Sequence, residues 1–294
     1  MFDALHHTEQ QLNQVLLGKS EVVKLALCCL VAGGHLLLED RPGVGKTTLA
    51  HALAQSLGLS YRRVQFTNDL LPADLTGFRM FDSRSSEFSF VPGPIFHQVL
   101  LADEINRASS KSQSALLEAM EEHQVSVDGH THLLPSPFFV IATQNPLEQT
   151  GTQPLPESQL DRFMMRLSLG FPDRRSELAM LQGASVTLLP QALNWPQVQA
   201  AVAGISVSAG VLDYLLDLVS NSRRNYAHPL SPRASKAILQ AAKAWALLMQ
   251  RSYVIPDDIQ AVFVAVCNHR LEPHCHVDKV ALAAELLATT PCPL

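Results

Sequence analysis

Apolar positions along this chain change their period several times, and each change marks an element. Leu12, Val15 and Leu16, then Val22, Val23, Leu25, Ala26 and Leu30, recur at helical spacing over residues 8–31. Gly18 divides that run into two helices, with Ser20 as the N-cap of the second. An apolar strand is expected at 35–39, a helix at 46–57 and an alternating strand at 61–66. Two alternating runs, 78–81 and 87–91, flank a polar turn and predict a β-hairpin projecting from the core. A hairpin that completes the main sheet is the alternative. Residues 97–103 read as a buried strand and 111–123 as an amphipathic helix. Asp128-Gly129 between alternating runs predicts a second hairpin over 125–132, with His130 and His132 facing solvent. Buried strands are expected again at 139–145 and 164–171.

Strands alternating with helices imply an α/β fold with a parallel sheet covered on both faces. After Pro172-Asp173 the strand signals thin out. A linking helix at 174–182 is followed by helical patterns at 212–219, 234–250, 256–266 and 277–288. The expected organisation is therefore an α/β unit over 1–172 and an all-α unit over 173–294.

Composition narrows the class. With 294 residues, 47% apolar and 17% charged, the chain can build two packed units. A net charge of −5 gives no overall basic footprint for nucleic acid. Cys28, Cys29, Cys267, Cys275 and Cys292 are odd in number and form no CxxC, so a disulfide framework is not expected. Cys28 and Cys29 fall on a buried helix, as inert core residues do. The first ten residues lack a secretory pattern, and the apolar stretch 25–34 is too short to span a bilayer. A cytoplasmic location is expected.

The chemistry is concentrated at residues 35–48, HLLLEDRPGVGKTT. A strand runs into Pro42, Gly43, Val44, Gly45, Lys46, Thr47 and Thr48 and then into a helix, the grammar of a phosphate-binding P-loop. The glycines let successive backbone N–H groups converge on one anion, Lys46 adds a point charge, and the Thr47 hydroxyl suits Mg²⁺. The helix N-terminus is aimed at the same place. Asp40 stands where the usual pattern has its first glycine.

Hydrolysis needs a second set of residues. The strand ending Asp103-Glu104 offers a carboxylate for the Mg²⁺ sphere and a general base to orient water. Asn145, at the end of the next strand, offers an amide that can donate and accept; a turn cap before Pro146 is its other reading. Arg162 precedes the fifth strand, and Arg233 sits in the first turn of a helix, where the dipole disfavours a cation unless an anion is nearby. From spacing alone each arginine also reads as a surface charge or a structural ion pair. His269, His274, Cys275 and His276 cluster without a recognisable zinc spacing, and read as a polar loop.

In this order the motifs resemble those of AAA+ ATPases, and more narrowly the MoxR family. The stretches carrying the resemblance are 34–47, 66–77, PGPIF (92–96), DEINRA (103–108), 113–122, ATQNP (142–146), 154–163, SPRA (231–234) and 280–288. The resemblance implies a five-stranded αβα core with a helical lid, assembled as a ring, usually a hexamer, with ATP and Mg²⁺ between subunits. It implies that Arg162 is an arginine finger acting in trans, Arg233 a sensor-2 arginine, Asn145 sensor 1, and Leu17-Gly18 part of an adenine pocket. It makes the hairpin 78–91 a helix-2 insert and 125–132 a pre-sensor hairpin, both facing the ring pore or a partner. Lys19 stands where the family often has glutamine. The implied activity is ATP hydrolysis coupled to chaperone-like maturation of protein complexes or cofactor insertion. Implied partners are a protein client and a von Willebrand factor A domain protein. Two rival functions remain: a nucleic-acid-dependent motor, and a slow nucleotide-gated binding switch.

Overall fold

The computed structural model describes residues 1–83, 86–145, 155–183, 187–272 and 282–292. Five parallel strands form the central sheet: β1 (Leu36–Glu39), β2 (Tyr61–Gln65), β5 (Val99–Asp103), β8 (Phe139–Gln144) and β9 (Met165–Leu167), in spatial order β2-β5-β8-β1-β9. β5, β8 and β1 lie inside the sheet and are buried along nearly their whole length, which explains their continuous apolar runs. Side chains alternate between two cores. Leu36, Leu38, Leu101, Phe139 and Ile141 face one layer. Leu37, Leu100, Ala102, Val140 and Ala142 face the other.

The first layer contains α1 (Phe2–Val15), α2 (Ser20–Val31) and α3 (Lys46–Ser56). Lys19, rather than Ser20, occupies the N-cap of α2 and makes no side-chain cap. Its Nζ instead donates to the Phe171 carbonyl at 2.7 Å. The opposite layer is built on α5 (Ser110–Glu122), whose N-cap Ser109 accepts from Ser112 N.

Two hairpins stand apart from the main sheet. β3 (Gly77–Asp82) pairs only with β4 (Glu87–Pro92), and Met80, Phe81 and Phe88 are exposed. β6 (Gln124–Val127) pairs with β7 (His130–Leu133) across Asp128 and Gly129, both at positive φ, as the Asp-Gly signal required. His132 does not face solvent freely: its ring stacks on Phe90 at 3.8 Å and joins the two hairpins. His130 is exposed as expected.

After β9 the chain is helical: α7 (Arg174–Leu181), α8 (Trp195–Ala203), α9 (Ala209–Asn225), α10 (Pro232–Leu248), α11 (Pro256–Cys267) and α12 (Leu282–Thr289). Side chains of Asp173, Asn194, Ser208 and Ser231 cap four of these helices, and proline opens α10 and α11. Helices α8 to α12 share a core with the first layer, where Trp195 meets Phe139 edge-on at 5.2 Å. Arg270, just past α11, is nearly buried and binds Asp161 Oδ1 at 2.7 Å and the carbonyls of Asp161, Phe163 and Met164 at 3.1, 2.8 and 3.1 Å. One guanidinium thereby fixes the helical region to the segment entering β9.

Candidate nucleotide site

The P-loop leaves the C-terminal end of β1. Gly43 and Gly45 adopt φ of 84° and 102°. A Cβ at Gly43 would meet nothing within 4 Å, so the requirement there is conformational rather than steric. Gly45 is the N-cap of α3, and Lys46, Thr47 and Thr48 form its first turn. Asp40 supports the loop from its unexpected position. Its carboxylate accepts from Arg41 N at 3.0 Å, Ser168 Oγ at 2.8 Å and Gly170 N at 2.7 Å, tying the loop to the segment after β9. Burial pushes the Asp40 carboxyl up, but these donors outweigh it and leave it below the usual range.

Lys46 folds back onto the loop. Its Nζ donates to the Asp40 carbonyl, lies 3.4 Å from the Arg41 and Gln144 carbonyls, and donates to Asn145 Oδ1 at 3.1 Å. Burial holds its pKa below the ordinary lysine value, against the opposing pull of Asp40, Asp103, Glu104 and Glu39.

Asp103 ends β5 and Gln144 ends β8, so the parallel sheet brings both to the P-loop edge. Asp103 Oδ1 accepts from Thr143 Oγ1 at 2.6 Å. The same hydroxyl oxygen accepts from Glu104 N at 2.9 Å. Glu104 lies at φ 56°, an uncommon conformation for a non-glycine residue, which turns its side chain out of the strand line. Its carboxylate accepts from Asn145 Nδ2 at 2.7 Å and Gln65 Nε2 at 2.8 Å, with Arg107 at 3.2 Å. Asn145 therefore links Lys46 to Glu104 with its two amide ends, and its own carbonyl accepts from Asn106 Nδ2 at 3.2 Å. Pro146, the residue its turn-cap reading required, lies outside the described residues. Thr143, Asn106, Gln65 and Arg107 escaped the sequence reading, since single polar residues on a strand or turn carry no spacing signal.

Beside the P-loop, Leu17, Gly43, Val44, Gly45, Thr48, Phe171, Pro172, Glu177, Met180 and Leu181 are among the residues lining a cavity of about 590 Å³. It is mainly apolar, as a purine base requires. Gly18 does not line it. At φ 70° it makes the turn between α1 and α2, where a Cβ would come within 2.6 Å of Ser176 Oγ. Leu17 lines this cavity, and α7 adds a wall to it through Glu177, Met180 and Leu181, which carry no motif in the sequence.

Arg162 and Arg233 lie elsewhere. Both line a cavity with Gly33, Gly34 and His35, at the N-terminal end of β1. β1 spans four residues, roughly 13 Å, between that cavity and the P-loop. Arg162 Nε binds Glu121 Oε2 at 2.9 Å, and Arg233 Nη2 binds Glu121 Oε1 at 2.6 Å. The anion that the Arg233 position called for is thus Glu121. Its carboxyl is held low, first by the hydrogen bond from Arg162 and then by Arg233.

Of the histidine cluster, His269 alone is described, and it does not face solvent as a polar-loop residue would. His269 is buried, with Nε2 3.1 Å from the Phe163 carbonyl, and burial pushes its pKa well down. His274, Cys275 and His276 lie outside the described residues. Among the described residues, donor atoms of Glu157, His228 and Glu272 approach within 4.8 Å of one another, without His269. Cys28 and Cys29 are fully buried, and burial pushes the Cys29 thiol up to about 12, as inert core residues require.

A P-loop, an Asp-Glu strand end, a polar strand end and a helical region after a β2-β5-β8-β1-β9 sheet define a AAA+ ATPase. Two family profiles agree: the ATPase family associated with various cellular activities matches residues 35–165, and the AAA lid domain matches residues 220–287. The chain is 39% identical to Chaperone MoxR1 of Mycobacterium tuberculosis, over 89% of this chain and 74% of that one. It is 31% identical to Protein MoxR of Paracoccus denitrificans, over 97% and 95%, and 44% identical to YeaC of Bacillus subtilis, over 95% and 90%. A crystal structure of a candidate ATPase from Cytophaga hutchinsonii superimposes with a TM-score of 0.89 at 32% identity, covering 100% of this chain and 96% of that one. The chain belongs to the MoxR family of AAA+ ATPases, and it is an ATPase. No helix among the described residues is long and apolar enough to cross a membrane.

Proposed function

We propose that the protein works in the cytoplasm as a homo-oligomeric ring, a hexamer, that hydrolyses ATP with Mg²⁺ between neighbouring subunits and uses the cycle to remodel a protein client. The observation that carries this reading is the separation of the two arginines from the P-loop of their own chain. An arginine at that end of the sheet does not reach the P-loop of its own chain, so any phosphate it serves belongs to a neighbour.

In each site, the P-loop amides and Lys46 bind the phosphates, and Leu17 with the α7 wall receives the base. Thr47 and Asp103 would hold Mg²⁺, for which hydroxyl and carboxylate oxygens are the fitting donors. Bound there, the ion neutralises charge on the β- and γ-phosphate oxygens. Glu104 orients the attacking water and takes its proton, Asn145 positions water and phosphate, and the neighbour's arginines stabilise the charge that develops. Residues 1–172 would form the nucleotide-binding core and 173–294 the lid that moves with nucleotide state.

A chaperone role is supported by the similarity to the chaperone MoxR1, and the exposed aromatic hairpin β3–β4 is the surface suited to a client. Maturation of a protein complex or cofactor insertion, with a von Willebrand factor A domain partner, is the biological setting proposed from the family resemblance. Subunit mixing tests the composite site. Lys46→Ala and Arg162→Ala chains, each inactive alone, should regain ATPase activity when mixed, because some interfaces then pair an intact P-loop with an intact arginine. Mixtures that stay inactive while still co-assembling would refute the trans assignment.

A further inference from the structure

β2 is the edge strand of the sheet, and it places a cation against the Mg²⁺ carboxylate. Arg63 donates Nε and Nη2 to the same Asp103 oxygen, Oδ2, at 3.0 and 2.6 Å. The other oxygen already accepts from the buried Thr143 hydroxyl at 2.6 Å. A carboxylate offers about four lone-pair positions, so one is left open. A magnesium ion keeps most of its water shell and meets such a carboxylate through the ion itself or donating waters. The open position is on Oδ1, one carboxylate width from the guanidinium, so a dication held there, directly or through water, is repelled by Arg63 and competes with it for the same carboxylate.

We propose that Arg63 is a resident countercation with which Mg²⁺ competes for Asp103, so that it sets the metal concentration at which the nucleotide site fills. This inference rests on the Mg²⁺-ATP reading given above. Arg63 is built to leave. Its side chain is 50% exposed, against 11% for Asp103, so the guanidinium can return to water while the carboxylate stays fixed. A second acceptor lies beside it: Gln65 Oε1 is 3.3 Å from Nη2. The strand period explains the pairing, because Arg63 and Gln65 lie on one side of β2 and Gln65 is in register with Asp103. While Arg63 holds Asp103, the carboxylate is neutralised without metal; when the ion arrives, a doubly charged cation takes over from a singly charged one.

Mn²⁺, read by electron paramagnetic resonance, reports metal occupancy directly. The full-length chain and its Arg63→Met variant are titrated with Mn²⁺ in the presence of a non-hydrolysable ATP analogue. A half-exposed ion pair corresponds to roughly a two- to fivefold change in binding, so the Mn²⁺ midpoint should fall by that factor in Arg63→Met. Fluorescent nucleotide binding in EDTA should be unchanged. Arg63→Lys, which keeps the charge but loses the two-donor fork, should shift the same way by less, and it is read in the same way should Arg63→Met not fold. An unchanged midpoint overturns the inference, and so does a raised one, which would make Arg63 a support for Asp103. A wild-type chain that binds no nucleotide would overturn the site itself and this inference with it.

Discussion

Arg162 and Arg233 share one carboxylate, one on each oxygen of Glu121. A residue before β9 and a residue opening α10 are thus held as a pair on the side of the sheet away from their own P-loop. In the proposed ring, a neighbour's phosphate would take the place of that carboxylate. Arginine fingers contribute about 10³–10⁵ in rate in other NTPases. Arg162→Ala should therefore lower kcat by ~10³ or more, and Arg233→Ala should also lower it. Nucleotide affinity of the isolated chain should be unchanged in both, as read by fluorescent ATP binding. A weakened affinity in the isolated chain would place an arginine in its own site.

The cavity proposed to receive the base is walled by α7, whose Leu181 is 85% exposed. An exposed leucine that lines a cavity contributes to ligand binding without contributing to the fold. Leu181→Asp should raise the Kd for ATP about tenfold, the equivalent of losing most of one buried side-chain contact. Its melting temperature should stay within the range of the wild type. Isothermal titration and thermal denaturation read the two effects separately.

Arg270 links the helical region to the entry of β9 through a nearly buried guanidinium. Arg270→Ala leaves Asp161 and three carbonyls without that partner. Breaking such a pair costs about 3 kcal/mol. Urea unfolding should show that loss, together with protease sensitivity near the β9–α7 segment. A loss under 1 kcal/mol would contradict the role given to Arg270.

Two buried histidines make the fold acid-sensitive. His35 accepts from Val140 N at 3.0 Å through Nδ1 and faces the Met120 carbonyl at 3.3 Å through Nε2, an arrangement for the neutral ring. Burial lowers its pKa to about 4, and His269 is also pushed well down by burial. The unfolded chain therefore binds more protons than the folded one below pH ~6.5. Stability is fully present above that pH and falls as the pH drops toward 4, by on the order of 3 kcal/mol for His35 alone. Unfolding free energy measured between pH 7 and 4.5 should decline, and His35→Gln should decline less steeply while starting lower.

Much of the core was readable because its signals are local. Buried strands β1, β5 and β8 are continuous apolar runs, and the P-loop is bounded by a strand and a helix. Asp103, Glu104 and Asn145 are strand-end residues, so parallel order alone gathers them. What escaped is set by tertiary contact. Thr143 is a strand threonine like any other until the sheet places it between Asp103 and Glu104. The Asp40 side chain read as a departure from a motif, yet its partners Ser168 and Gly170 follow the neighbouring strand β9, far away in sequence. Ser20 matched a cap signal, but the cap position went to Lys19, whose ammonium reaches Phe171. Glu121 is one acid among several on α5, and only the fold brings two arginines to it.

Completion of the catalytic site by a neighbouring subunit is tested most directly by the steady-state ATPase rate per subunit as protein concentration is raised. Glu104→Gln serves as the blank. The rate should climb steeply, reach a plateau and be absent in the variant. A rate per subunit that is the same at every concentration, with turnover already at its maximum in dilute monomer, would contradict completion by a neighbour.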